Sequence, residues 1–90
     1  MKLLYKSRLV DIQGFHEVIV EGAQLTVTYS VPDSGILPKP DVFNFDYPGT
    51  ALMVLRHIDR YCDTDRIVEI FESPNGKFTV TPHHDHSPQK

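Results

Sequence analysis

The chain has 90 residues, of which 40% are hydrophobic and 23% charged, a size and composition that fit one small domain. Nine basic and twelve acidic residues give a formal net charge of −3, which argues against nucleic-acid binding driven by backbone charge. No stretch approaches the roughly 18 apolar residues of a membrane span, and a single cysteine, Cys62, excludes an internal disulfide and a multi-cysteine zinc site, so we expect a cytoplasmic protein.

The first third of the chain predicts an antiparallel meander of three strands. Residues 3–10 are rich in apolar side chains, and a turn at Asp11–Gly14 separates them from a second strand at Phe15–Glu21. Residues 25–30 alternate apolar and polar side chains, which is the clearest period of two in the chain. Because short links join these segments, we expect them to pair as neighbours.

A proline-rich connection follows the meander. Four of the seven prolines fall within residues 32–48, where each one removes a backbone donor. Connections of this length without secondary structure are uncommon unless they have a function. Within it, Phe43, Phe45 and Tyr47 alternate with polar residues, which predicts a short fourth strand before the helix.

A helix is predicted next, because apolar side chains recur at helical spacing between residues 51 and 62. Thr50 is the expected N-cap, or Asp46 if the helix begins near Pro48. The short polar residues 63–65 compete for backbone hydrogen bonds and should end the helix.

A β-hairpin is predicted after the helix. Residues 66–72 are almost continuously apolar, which is typical of a central strand. Residues 73–76 read Ser-Pro-Asn-Gly, the residue types that suit successive positions of a type I turn and its left-handed end. Pro82 should end the second strand, so we expect one domain over residues 1–82 and a flexible tail over residues 83–90.

The predicted fold class is α+β, with one antiparallel sheet of five or six strands and one helix packed on one face. The helix should cover the sheet because its apolar stripe has no other surface to pack against. The expected core is Leu4, Leu9, Val18, Val20, Leu25, Val27, Tyr29, Leu52, Leu55, Ile58, Ile67, Phe71, Phe78 and Val80.

The residue pattern does not point to an enzyme. His57 and Cys62 are five residues apart, so on a helix they project about 140° apart and cannot easily share a hydrogen bond. For the acidic residues around the helix end and on the next strand, acid–base catalysis needs a cleft that shifts the pKa of one carboxylate, and a domain of this size with one helix rarely makes such a cleft. The histidines within 83–86 offer metal ligands, but closing them on a metal costs chain entropy. We expect no catalytic residues, no cofactor and no functional metal site.

The acidic–aromatic stretch, residues 41–47, carries three of the nine aromatic residues and permits two interpretations. Its aromatic side chains either close the core under the crossing segment or form an interaction surface with aromatic anchors inside an acidic rim. The residues assigned to that surface are Asp41, Phe43, Phe45, Asp46 and Tyr47, with the helix face of Arg56, Asp59, Arg60 and Asp63 as the next candidate.

These observations predict a non-enzymatic protein-binding module, a regulator or inhibitor that occupies a surface of a larger partner. Phage and mobile elements encode many small proteins of this kind, so a viral origin is one expectation. The first alternative is a self-associating assembly domain that uses open sheet edges to form dimers or larger rings, so the protein is expected as a monomer or, in this alternative, at least a homodimer. The second alternative is weak metal or nucleic-acid binding.

Overall fold

The computed structural model describes residues 1–31, 33, 35–36 and 38–84. In these residues the chain forms a mixed α+β fold with one helix and two sheets, rather than the single sheet that was predicted. The elements in chain order are β1 (Lys2–Tyr5), β2 (Arg8–Asp11), β3 (Phe15–Glu21), β4 (Gln24–Tyr29), β5 (Asp41–Asn44), α1 (Pro48–Tyr61), β6 (Arg66–Glu72) and β7 (Phe78–His84). No helix among the described residues has the length and apolar character needed to cross a membrane.

The first predicted strand is two strands. β1 and β2 pair as an antiparallel hairpin around Lys6 and Ser7. Both turn residues have positive φ, 50° and 66°, as a two-residue type I′ hairpin requires. The prediction of one strand over residues 3–10 was wrong because no glycine or asparagine marks this turn.

The pairing of the strands also differs from the predicted antiparallel meander. One sheet has the order β2-β1-β6-β7, with β1 and β6 parallel and the other pairs antiparallel. The other sheet is an antiparallel meander of β3, β4 and β5. A three-stranded meander therefore exists, but its third member is the short strand before the helix. β6 is central, as its apolar sequence predicts.

The core lies between the sheets and the helix, which contacts β3, β4, β6 and β7. The buried hydrophobic side chains come from both sheets, the β2–β3 turn and one face of α1, so both sheets share one core. They are Met1, Leu3, Tyr5, Ile12, Leu25, Val27, Phe43, Phe45, Ala51, Val54, Ile58, Val68 and Ile70.

Part of the core prediction was wrong because two strands present the opposite face. In β6, Val68 and Ile70 are buried, whereas Phe71, which was expected in the core, is 61% exposed. In β1, Leu3 is buried and Leu4 is only partly covered. Side chains alternate along a strand, so a one-residue shift exchanges the buried and exposed sets. The other predicted core residues that the structure leaves exposed are Leu9 and Leu52.

The helix begins at Pro48, where the absent N–H of proline costs nothing in the first turn. Its N-cap residue is Tyr47, which makes no side-chain capping bond. The prediction of Thr50 or Asp46 as the N-cap was therefore wrong, although the start near Pro48 is confirmed. The helix ends at Tyr61, just before the short polar residues that were expected to stop it.

The β6–β7 turn forms as the sequence predicts. The Ser73 N–H donates to the Lys77 carbonyl at 2.8 Å, and Gly76 has φ +88°. The second strand does not stop at Pro82 but continues to His84. Proline fits there because β7 is an edge strand, where a missing N–H can face solvent.

Candidate functional site

Two of the three aromatic residues of the acidic–aromatic stretch, Phe43 and Phe45, close the core. Phe43 is 1% exposed and Phe45 is 6% exposed. The Phe45 ring meets Tyr5 edge-on at 4.8 Å between centroids and stacks beside Phe43 at 6.0 Å. The burial of these two phenylalanines fits the first of the two interpretations of the stretch, in which they close the core, and leaves neither of them exposed as an anchor in this conformation.

The acidic residues of the same stretch also contact other strands. Asp41 accepts a hydrogen bond from the Tyr29 hydroxyl at 2.5 Å and pairs with Arg8 at 3.4 Å. Burial, together with this carboxylate, raises the pKa of the Tyr29 phenol. Asp46 is exposed, with Lys6 at 4.0 Å. Asp41 therefore links β5 to β4 and β2, whereas the Asp46 side chain is largely exposed to solvent.

Tyr47 ties the stretch to the β6–β7 turn. Its hydroxyl donates to the Ser73 carbonyl and accepts a hydrogen bond from the Gly76 N–H at 3.1 Å. Since Tyr47 is also the residue that precedes the helix, it couples the turn to the start of α1.

Glu72 organises the start of α1 from the end of β6. Its carboxylate accepts hydrogen bonds from the N–H groups of Asp46 and Tyr47 at 3.0 and 3.1 Å, from the Thr50 hydroxyl at 2.6 Å, and from the Tyr5 hydroxyl. Burial raises the pKa of the Glu72 carboxyl, but these donors outweigh burial and lower it overall. These contacts make Glu72 a distant cap for the start of α1.

An apolar surface surrounds Phe78, at the start of β7. On one side, a groove of about 540 Å³ runs between the helix and this strand, and it is lined by Gly49, Leu52, Met53, Leu55, Arg56 and Phe78. On the other side, a hollow of about 290 Å³ is lined by Phe71, Ser73, Asn75, Lys77, Phe78 and Thr79. Leu52 is 56% exposed and Phe71 is 61% exposed. Sequence reasoning placed both in the core and therefore missed this surface.

Gly49 shapes the groove. A Cβ atom at this position would lie 2.9 Å from the nearest carbon of the Phe78 ring, closer than real Cβ atoms approach. The absent side chain thus lets the ring rest on the first turn of α1.

The backbone of β7 faces outward between the two hollows. The bond between Ser73 and Lys77 shows that this pair of residues is a hydrogen-bonded pair of the β6–β7 ladder. Hydrogen-bonded and non-hydrogen-bonded pairs alternate along an antiparallel ladder, so Phe78 and Val80 belong to non-hydrogen-bonded pairs. The N–H and C=O groups of Phe78 and Val80 accordingly point away from β6. Pro82 is two residues beyond Val80, so its backbone also points away from β6, and its missing N–H removes no hydrogen bond to β6.

A third cavity, which we call the arginine pocket, lies on the exposed side of the helix. Its volume is about 310 Å³, and its lining residues are Met53, Arg56, His57, Arg60 and Tyr61. The guanidinium carbons of Arg60 and Arg66 lie 5.7 and 5.1 Å from the centre of the Tyr61 ring. Two of the four helix residues that the sequence proposed, Arg56 and Arg60, thus share one pocket. Asp59 and Asp63 are exposed and do not line it.

Among the described residues, no group of three or more histidine, cysteine, aspartate or glutamate side chains converges to hold a metal ion. His83 lies on β7 and bonds to Glu69 at 3.0 Å. The rest of the predicted histidine cluster, the His84 side chain and residues 85–86, lies outside what the structure describes. Cys62 packs partly buried against the core.

Comparisons of the chain with protein-family models, curated proteins and solved structures gave no match. The function therefore has to be inferred from the surfaces of this chain alone. Two of these surfaces are open to solvent and share Met53 and Arg56, namely the apolar surface around Phe78 and the arginine pocket on α1.

Proposed function

We propose that this protein is a non-enzymatic protein-binding module that regulates or inhibits a larger partner by gripping an extended segment of it at the β7 edge. The observation that carries the proposal is the outward-facing backbone of β7, which runs between two apolar hollows on either side of Phe78. A cytoplasmic location remains part of the same proposal.

Strand addition uses both features of this edge. A segment that pairs with β7 makes main-chain hydrogen bonds to Phe78 and Val80. Its side chains alternate between the two faces of the sheet. Successive side chains therefore reach the groove beside Leu52 and the hollow beside Phe71 in turn. Affinity then comes from the backbone, and specificity comes from the side chains that fill the two hollows.

The exposed hydrophobic residues supply the driving force. Fully burying a leucine or phenylalanine side chain contributes about 1.5–3 kcal/mol. Leu52 and Phe71 are more than half exposed in the free protein, so contact with a partner removes much of their apolar area from water. Aromatic side chains such as Phe71 are enriched in protein–protein interfaces relative to the rest of the surface.

Self-association is the second candidate, because the same open edge can pair with β7 of another copy. Light scattering separates the two functions. A monomer at micromolar concentration supports binding to a different protein. A dimer whose proportion does not change on dilution supports an assembly role, with β7 pairing across a twofold axis.

The proposal is tested with matched baits in a lysate of the source cells. The binding variant carries Leu52→Gln and Phe71→Thr, which remove the apolar anchors without adding charge. The control variant carries Ile19→Thr on β3, where Ile19 is 40% exposed on the other sheet. All three proteins should have similar melting temperatures, because none of these side chains is in the core.

We expect the wild type and the Ile19→Thr bait to capture the same protein, and the double variant to lose it. Capture of that protein by all three baits would mean that binding uses another surface. Loss in the Ile19→Thr bait alone would move the interface to the β3-β4-β5 sheet.

A further inference from the structure

We propose that the pocket on α1 binds the carboxylates of an acidic segment in the partner. The inference rests on the proposed function and adds the chemistry of the partner to it. Its basis is a cluster of positively charged side chains in an acidic protein, organised around Tyr61.

Three of the four arginines of the chain, Arg56, Arg60 and Arg66, are gathered in and beside this pocket. Within the described residues, none of the three forms an ion pair with a carboxylate, whereas the fourth, Arg8, pairs with Asp41. The chain as a whole has a net charge of −3. The three guanidinium groups are therefore not ion-paired with carboxylates of the described residues, and the neighbouring Asp59 and Asp63 do not line the pocket.

The geometry of the pocket holds these groups in place. Arg56 and Arg60 are four residues apart on α1, so they lie on one side of the helix. The Tyr61 ring supports the guanidinium groups of Arg60 and Arg66 through cation–π contacts. The His57 Nδ1 donates to the Met53 carbonyl at 2.9 Å, which fixes that ring.

Arginine suits a carboxylate in particular. The planar guanidinium presents its N–H donors as a fork that matches the two oxygens of a carboxylate. Such hydrogen bonds are stronger than those between neutral groups. Two forks in one pocket can take carboxylates from neighbouring residues of a single segment.

An acidic peptide fits the site better than a nucleic acid does. Single-stranded nucleic acid relies on aromatic faces for base stacking, but guanidinium groups already lie 5.7 and 5.1 Å from the Tyr61 ring centre. A nucleic acid needs such an aromatic face for its bases, whereas an acidic peptide needs only the guanidinium donors.

The pocket is continuous with the apolar surface around Phe78. Met53 and Arg56 line both the pocket and the groove beside Leu52. A segment anchored in the groove by an apolar side chain can therefore place its next acidic residues in the pocket. The partner segment that fits both sites combines apolar anchors with aspartate or glutamate.

Fluorescence anisotropy tests the inference with a fluorescein-labelled peptide of ten glutamates as the probe, at low salt. The test variant is Arg60→Gln, and the matched control is Lys39→Gln, an exposed residue whose loss changes the net charge equally. We expect Arg60→Gln to weaken binding about tenfold, as the loss of charged hydrogen bonds implies. Lys39→Gln should change the affinity less than about twofold, because Lys39 is not among the residues that line the pocket.

Equal weakening in both variants would reduce the interaction to net charge and overturn the inference. The inference would also be overturned if a labelled strand of ten thymidine nucleotides bound more tightly than the glutamate peptide and lost that binding in Arg60→Gln. The pocket would then be a nucleic-acid site.

The Leu52→Gln and Phe71→Thr variant should bind the glutamate peptide normally, because it keeps every arginine. If that variant keeps its cellular partner while Arg60→Gln loses the peptide, the strand-addition proposal fails and the pocket stands. If the peptide never binds but capture depends on Leu52 and Phe71, the pocket inference fails alone.

Discussion

The Glu72 carboxylate holds the first turn of α1 from the last position of β6. Four donors converge on it, and two of them are backbone N–H groups at the helix start that would otherwise lack a partner. The sequence predicts a cap among the residues next to the helix, because local capping is the common arrangement. A cap 22 residues from Thr50 leaves no local signal.

Replacement of Glu72 by glutamine should lower the free energy of unfolding by about 2 kcal/mol. The new amide NH₂ cannot accept a hydrogen bond, and it faces donors that the carboxylate satisfied. Glu69→Gln is the matched control on the same strand, since Glu69 is exposed and its carboxylate bonds only to His83 among the residues described. Urea unfolding of the three proteins measures the effect, and equal losses in both variants would contradict the capping role.

Acid should remove the contribution of Glu72. Its pKa in the folded protein lies below the ordinary value of 4.5, so its stabilisation is complete above that value and is lost as the pH falls through the folded pKa. The difference in melting temperature between the wild type and Glu72→Gln should therefore shrink as the pH is lowered from about 6 to about 3. A constant difference across that range would show that the folded pKa is not lowered.

At the scale of elements, predictability follows how local the determining signal is. The β6–β7 turn was predictable because Ser73, Asn75 and Gly76 each suit one position of it. The buried and exposed faces of β6 were not predictable, because its nearly continuous apolar sequence does not alternate and so does not show which side chains are buried. The hairpin of β1 and β2 was missed because lysine and serine occupy its two positive-φ positions.

Gly76→Val should lower the free energy of unfolding by about 1–2 kcal/mol, because a β-branched residue at φ +88° is strained. The space around this glycine is open within 4 Å, so the cost comes from the backbone and not from a clash. Gly76→Asn is the control, since asparagine tolerates positive φ better. Equal melting temperatures for the wild type and the valine variant would contradict the turn geometry.

At the scale of the whole molecule, the α+β class, the helix and the C-terminal hairpin were predictable, whereas the arrangement of the two sheets was not. The parallel pairing of β1 with β6 joins segments near opposite ends of the chain, so neighbouring residues carry no sign of it. The same pairing places Tyr5 against Phe45 and draws the acidic–aromatic stretch inward. Phe43 and Phe45 thereby became part of the core, whereas Asp46 stays exposed, and the apolar surface around Phe78 includes the exposed side chains of Leu52 on α1 and Phe71 on β6.

Two phenylalanines with opposite environments test this arrangement. Phe45→Ala should cost about 3–5 kcal/mol and strongly lower the melting temperature, because Phe45 is buried between Tyr5 and Phe43. Phe71→Ala should cost less than about 1 kcal/mol, because Phe71 is 61% exposed. Thermal unfolding compares them directly, and similar losses would show that the inner and outer faces are assigned incorrectly.

Photo-crosslinking in the source cells tests the central claim, which is that the protein binds a partner at the surface around Phe78. Benzoylphenylalanine placed at position 71 keeps the aromatic character of Phe71, and the same residue at position 19 is the control on the other sheet. We expect a covalent adduct with another protein from position 71 and none from position 19. An adduct from position 19 with none from position 71 would contradict it.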